Sequence, residues 1–412
     1  MKSLNIELKA DASLVGKDSA TSRILEIELT TPESNGRNDC TPLNLALVID
    51  RSGSMSGNKL QQAKVAAEQI LGLMRAKDSV SVIAYDDVVE IVAEADSVTT
   101  EACTDMSTSI KQIRCGGSTN LSGGWLQGCE CVARHQLEGK INRTLLLTDG
   151  LANVGITSAH ELSRHAAELF ERGVATSTFG IGTGYNERLL EGMANRGGGN
   201  YYFIESADQI PGLLMEEFHD LAAVTIKNTV LEVNLPDGVK LELFGDWKNE
   251  QSGHKTIVHL SDLPAKRRVT LYGRLLVPPG NGQLVMNALV KGINEEDSLI
   301  QAAGELSLQY ASQSKVDEAP RDRELLSHFA TVAVGQLSNE ALLLERQGMN
   351  DEAVKVMEKI LGEFGQYLPA PTLGRYSDLT RNMEHGLNEY DRKTLSRDTY
   401  LLKKHRHPDQ SR

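Results

Sequence analysis

The pentapeptide Asp50-Arg51-Ser52-Gly53-Ser54 closes the apolar run Leu43-Asn44-Leu45-Ala46-Leu47-Val48-Ile49. Two later segments, Gly117-Ser118-Thr119 and Leu147-Thr148-Asp149-Gly150, carry the same kinds of donor. A strand delivers one carboxylate and two hydroxyls into a loop; a lone threonine follows, then a second aspartate at another strand end. This is an oxygen-only constellation suited to a hard divalent cation. Turn chemistry accounts for the Ser, Gly and Asp of each loop singly. It does not account for the set.

Such a set needs a scaffold that ends several strands at one edge. From Leu43 to Phe218 apolar runs alternate with amphipathic stretches, the sequence form of a mostly parallel sheet covered on both faces. Strands are predicted at Leu43 to Ile49, Ser79 to Tyr85, Val88 to Ala93, Thr144 to Thr148, Val174 to Gly180 and Tyr201 to Ile204. Helices are predicted at Lys59 to Met74, Thr100 to Ile113, Gly124 to His135, Ser158 to Arg172, Glu187 to Asn195 and Ala207 to Phe218. In the first helix Leu60, Ala63, Ala67, Ile70 and Leu71 recur at intervals of three and four, an apolar face able to cover a sheet. The expected fold class is α/β, a doubly wound, mostly parallel, Rossmann-like sheet of six strands. In such sheets ligands bind beyond the carboxyl ends of the strands.

Asp50, Ser52, Ser54, Thr119 and Asp149 match, in order, the pattern D-x-S-x-S, a Thr in a Gly/Ser loop, and an Asp in a T-D-G turn. With these residues the chain resembles a von Willebrand factor type A domain of bacterial cytosolic type with a complete metal-ion-dependent adhesion site. The likeness runs from about Pro42 to Glu217. It implies Mg2+ as the bound ion, with Mn2+ or Ca2+ as substitutes. It also implies direct coordination by the Ser52, Ser54 and Thr119 hydroxyls, with Asp50 and Asp149 binding directly or through water. An open coordination position is left for an Asp or Glu of a partner protein. The resemblance further implies that Thr119 and Asp149 exchange direct coordination as the last helix of the domain shifts. Some relatives serve as adaptors or co-chelatase subunits for AAA+ ATPases, which makes such an ATPase a second candidate partner.

Beyond Leu221 the apolar period changes to two, at Ile226, Val230, Leu231, Val233, Leu235 and in later runs, with Pro236-Asp237-Gly238 and Pro278-Pro279-Gly280 between them. That pattern predicts an antiparallel β-sandwich. Leu4 to Leu8 and Ile24 to Leu29 alternate in the same way and are expected to complete it, so the α/β domain would be an insertion. The expected organisation is 1–41 as strands joining the sandwich, 42–220 as the type A domain, 221–312 as the sandwich, and 313–412 as a helical hairpin with a basic, solvated tail.

The formal net charge of -13 argues against a nucleic-acid partner, because such binding relies on clustered Lys and Arg that neutralise phosphates. No stretch approaches the roughly 18 apolar residues of a membrane span, and Met1 to Glu7 lacks the flank and core of a secretory signal. Five cysteines, Cys40, Cys103, Cys115, Cys129 and Cys131, show neither a CxxC pair nor a zinc spacing, which points to a reduced, cytoplasmic chain.

Enzyme readings fare less well. An aspartate-nucleophile phosphatase needs a carboxylate two residues after Asp50, where this chain has Ser52. Ser54 does not lie in G-x-S-x-G, and Gly180-Ile181-Gly182-Thr183-Gly184 lacks the spacing and the lysine of nucleotide loops. A metal-dependent hydrolase is the remaining enzymatic alternative to a non-enzymatic, Mg2+-dependent protein-binding module.

Overall fold

The computed structural model describes residues 3–33, 41–136, 139–245, 247–294 and 296–403. The chain begins with β1 (Asn5–Ala10), β2 (Leu14–Gly16) and β3 (Thr21–Thr30). It continues with β4 (Leu43–Asp50), α1 (Asn58–Leu73), β5 (Ser79–Tyr85), β6 (Val89–Ala95), α2 (Thr100–Gln112), α3 (Leu121–Arg134), β7 (Ile141–Thr148), α4 (Ala159–Glu171), β8 (Ala175–Ile181), α5 (Glu187–Arg196), β9 (Gly198–Ile204) and α6 (Ile210–Ala222). The residues from Gly36 to Val224 form one compact unit; Met1–Asn35 and Thr225–Arg412 form the other.

In the α/β unit six strands lie in the order β6-β5-β4-β7-β8-β9. All pairs are parallel except β5 with β6. Every residue of β4 is buried, as is every residue of β5, because helices cover both faces of a parallel sheet and no polar alternation is needed. Leu60, Ala63, Ala67, Ile70 and Leu71 of α1 enter the core below the sheet, as their spacing requires. Four helices start on a side chain that accepts a backbone N–H, namely Thr99, Asn120, Ser158 and Asn186.

The last helix of this unit is tied to the sheet through a polar core. Glu217 of α6 is fully buried and accepts hydrogen bonds from Ser177 at 2.5 Å, Asn200 at 2.8 Å and Tyr202 at 2.7 Å. The Arg143 guanidinium, also buried, lies 4.0 Å away. Burial opposes the charged carboxylate, but the Arg143 charge and the three donors outweigh it and hold the Glu217 carboxyl below its ordinary range.

The second unit adds β10 (Val224–Asn234), β11 (Lys240–Phe244), β12 (Lys248–Ser252), β13 (Lys255–Pro264), β14 (Arg268–Val277), β15 (Gln283–Asn294) and β16 (Leu299–Ala311). Its helices are α7 (Gln313–Glu318), α8 (Arg323–Arg346), α9 (Asn350–Phe364), α10 (Ala370–Met383) and α11 (Glu389–Lys403). Two sheets, β1-β3-β14-β11 and β12-β13-β10-β15-β16-β2, enclose a common apolar core that includes Leu25, Ile27, Leu29, Leu231, Leu271 and Val290. The sandwich is not wholly antiparallel: the short β2 runs parallel to β16. The outer face of the smaller sheet, through Ile24, Phe244 and Tyr272, packs on α8 and α9 around Phe329 and Phe364.

The carboxyl-terminal region is more than the expected hairpin. Two further helices follow α8 and α9, and α11 is packed, not solvated: Lys393, Leu395, Ser396, Asp398 and Thr399 are buried. A helix that buries polar side chains shows no apolar stripe, so its periodicity is invisible to pattern reading. Glu345 of α8 holds this end by accepting from Arg392 through both oxygens, at 2.7 and 2.8 Å, and from the Leu387 N–H at 2.8 Å. The rest of the basic cluster after Lys403 lies outside the described residues.

Candidate functional site

The sheet order reverses beside β4: β5 lies on one side of it and β7 on the other. The loops leaving those strands diverge and leave a crevice at their carboxyl ends. Asp50 ends β4, Asp86 follows β5, and Asp149 follows β7. Thr119 sits in the loop before α3. The five residues singled out in the sequence therefore come from loops that converge on one crevice.

Within the first loop, Asp50 Oδ1 accepts the Ser52 N–H at 2.8 Å, and Asp50 Oδ2 accepts the Thr148 hydroxyl at 2.6 Å. The Ser52 and Ser54 hydroxyls are 3.2 Å apart, and Ser54 donates to Asp149 Oδ1 at 2.6 Å. A side chain added at Gly150 would meet Thr119 Oγ1 at 3.1 Å and Ser54 Oγ at 3.6 Å, so the threonine hydroxyl shares the same small space. Asp50, Ser52, Thr119 and Asp149 are buried while Ser54 is exposed, so the cluster opens to solvent on one side.

Backbone bonds lock these loops together. Gly53 N–H donates to Gly117 O at 3.1 Å, Gly116 N–H to Arg51 O at 2.8 Å, and Asn120 N–H to Asp86 O at 2.9 Å. A Cβ at Gly116 would overlap the Asp86 carboxylate, which the Val88 and Gly117 N–H groups and Arg51 hold in place. Gly57, at φ 79°, occupies the left-handed region just before α1.

The charges differ in a way that decides what the site can do. Asp86 is met by Arg51 at 3.4 Å. Burial raises its carboxyl, but the Val88 and Gly117 N–H groups and Arg51 outweigh that and leave it below the ordinary range. Asp149 is met by Lys59 Nζ at 2.5 Å on its Oδ2. Asp50 is 0% exposed, and among the described residues it forms no ion pair. Burial pushes its carboxyl above the ordinary range, against the pull of the Thr148 and Ser52 hydrogen bonds. A buried carboxylate without a counter-charge is costly, and a divalent cation would supply that charge.

The donors fit such an ion. Two carboxylates and three hydroxyls are hard oxygen ligands of the type Mg2+ takes. Among the described residues no group of three or more His, Cys, Asp or Glu forms a metal cluster, as follows for a set in which hydroxyls outnumber carboxylates. Asp50, Ser52, Ser54, Thr119 and Asp149 are the residues that would hold the ion.

Three further neighbours complete the site. Thr148 opens the T-D-G turn, where the sequence gives it no role of its own; Lys59 reads as the start of a helix, and Asp86 belongs to no motif. A signal for Asp86 does exist: an Asp-Asp pair directly after the apolar run that ends at Tyr85. Cys103, Cys115, Cys129 and Cys131 are unpaired thiols; Cys129 and Cys131 are buried, and Cys40 lies outside the described residues. No helix among the described residues is long and apolar enough to cross a membrane.

Residues 44–216 match the family model of the von Willebrand factor type A domain. The Escherichia coli protein YfbK is 29% identical over 192 residues, covering 46% of this chain and 33% of YfbK, so the chain spans about a third of that relative's length. Two solved structures share the fold over nearly the whole chain. The von Willebrand factor type A protein from Catenulispora acidiphila has a TM-score of 0.74 at 12% identity, covering 98% of this chain and 97% of its own. The ArnB paralog VWA2 from Sulfolobus acidocaldarius has a TM-score of 0.64 at 18% identity, covering 98% of both chains. The mostly parallel six-stranded sheet with its helices thus has the von Willebrand factor type A fold, joined to additional sheets and carboxyl-terminal helices.

Proposed function

We propose that the α/β unit is a metal-dependent receptor for an acidic side chain on a partner protein, working by binding and not by turnover. The observation that carries this reading is Asp50: a buried carboxylate with no counter-charge among the described residues, surrounded by hydroxyls that do little to quench a cation. A divalent ion held there by Asp50, Ser52, Ser54 and Thr119 keeps attraction for an anion. The exposed Ser54 side of the cluster is the approach open to a partner's Asp or Glu. Mg2+ is the ion that the donor set suits best, with Mn2+ as a spectroscopic substitute.

Against catalysis stands the chemistry of the first loop. The position two residues after Asp50 offers the Ser52 hydroxyl where an acid–base carboxylate would be needed.

Calorimetric titration of the full chain with Mg2+ tests the reading. We expect saturable binding by wild type and at least a tenfold weakening in Thr119→Ala, since one of few protein ligands is lost. Equal affinity in the two proteins would remove Thr119 from the site. No binding by wild type, or metal-dependent hydrolysis of a phosphate ester lost with the same substitution, would overturn the proposal.

A further inference from the structure

We propose that Lys59 is the positioning residue that sets the charge of the loaded site: its ammonium, bound to Asp149, weakens metal binding and strengthens capture of the anionic ligand. This rests on the receptor reading above. Lys59 lies in the first turn of α1, and its Nζ reaches Asp149 Oδ2 at 2.5 Å and the Ser54 carbonyl at 3.3 Å. The lysine side chain is 36% exposed, whereas the Asp149 side chain is fully buried. Both oxygens of Asp149 are therefore engaged, one by the Ser54 hydroxyl and the other by the ammonium.

Two consequences follow from this arrangement. Because the Ser54 proton points at Asp149, the lone pairs of Ser54 Oγ remain for a cation, while the Lys59 ammonium on Oδ2 fixes the orientation of the Asp149 carboxylate. The second consequence is electrostatic. Asp50 and Asp149 are offset by a single ammonium, so a divalent cation leaves the loaded cluster positive. Without Lys59 the two carboxylates would balance the formal charge of the ion, and an approaching carboxylate would meet a weaker attraction. Nearby, Asp86 is already paired with Arg51, and Asp87 is exposed and screened by solvent.

Opposite shifts of two affinities test the inference. Mn2+ binding is measured by calorimetry on the full chain. Acetate binding to the Mn2+-loaded protein is measured by its displacement of metal-bound water in proton relaxation. For Lys59→Met we expect Mn2+ to bind about tenfold tighter, a modest share of what a full charge beside a divalent ion would give once solvent screening is allowed for. Half-maximal acetate should rise several-fold. Lys59→Arg, which keeps the charge, should behave as wild type. Lys59→Met should also melt lower than wild type without metal, because Asp149 loses its partner, and regain the difference in saturating Mn2+. If it does not fold metal-free, Lys59→Gln purified in Mn2+ takes its place. Unchanged or weaker Mn2+ binding in the variant, or unchanged acetate binding, would overturn the role of Lys59 while leaving the receptor standing. Failure of wild type and variant alike to bind Mn2+ would overturn both.

Discussion

Replacing Asp50 with asparagine should abolish Mg2+ binding and make the metal-free protein more stable, by about 1–3 kcal/mol. The two effects share one cause. The carboxylate is 0% exposed with no cation partner among the described residues, so in the apo fold its desolvation is offset only by the Ser52 and Thr148 hydrogen bonds. Asparagine keeps the shape and one oxygen for the Ser52 N–H, and the Thr148 hydroxyl can turn to accept from the new amide. Chemical denaturation with chelator present measures the metal-free stabilities. Thermal melts in Mg2+ at a hundred times the wild-type dissociation constant measure the loss of binding: wild type should gain about 2.7 kcal/mol of stability, and the variant nothing. A variant less stable than wild type in chelator would show that Asp50 serves the fold and not an ion.

Glu217→Ala should be the most damaging single substitution in the α/β unit, costing about 3–5 kcal/mol. It leaves the buried Arg143 without its counter-charge and takes the acceptor from Ser177, Asn200 and Tyr202 together. The pair Arg143→Met with Glu217→Leu should recover part of the loss, because no charge is then stranded. The same group gives a pH signature. Its carboxyl is held below the ordinary range in the fold, so its contribution is complete above the unfolded value of about 4.3 and is lost as pH falls from there through the folded value. Urea titrations between neutral and acid pH, followed by the buried Trp125 in a Trp247→Phe background, isolate the unit. Wild type should lose stability over that window more steeply than Glu217→Gln; equal slopes would dismiss the assignment.

Glu217 also bears on the movement that the resemblance implies for the last helix. Sliding α6 by one turn, about 5.4 Å, would carry the carboxylate away from every donor it has. In this chain α6 is anchored in one register, and any shift must first break that buried network.

What the sequence makes legible divides along physical lines. Asp50, Ser52, Ser54, Thr119 and Asp149 stand out because turn chemistry alone does not place oxygen donors, in this order, at successive strand ends. The parallel sheet is legible because strands buried on both faces read as continuous apolar runs. Lys59 and Arg51 are not legible as site residues, since a long basic side chain reveals its partner only in three dimensions. The helices α10 and α11 escape pattern reading for a related reason: Thr380, Lys393, Ser396 and Thr399 are buried there, and hydrogen bonds and charges hold polar faces that carry no periodic signal.

The sandwich has a consequence for how the protein is made. Its strand β3 pairs along its whole length with β14, Thr30 opposite Arg268 and Thr21 opposite Val277, so one edge of β3 waits for a partner encoded far downstream. At about 5–20 residues per second, the roughly 240 residues between Thr30 and Arg268 impose a delay on the order of ten seconds or more. The α/β unit, contiguous from Gly36 to Val224, can fold within that interval. Leu25, Ile27 and Leu29, which the finished sandwich buries, meanwhile stay uncovered on β3, a segment that a chaperone could protect.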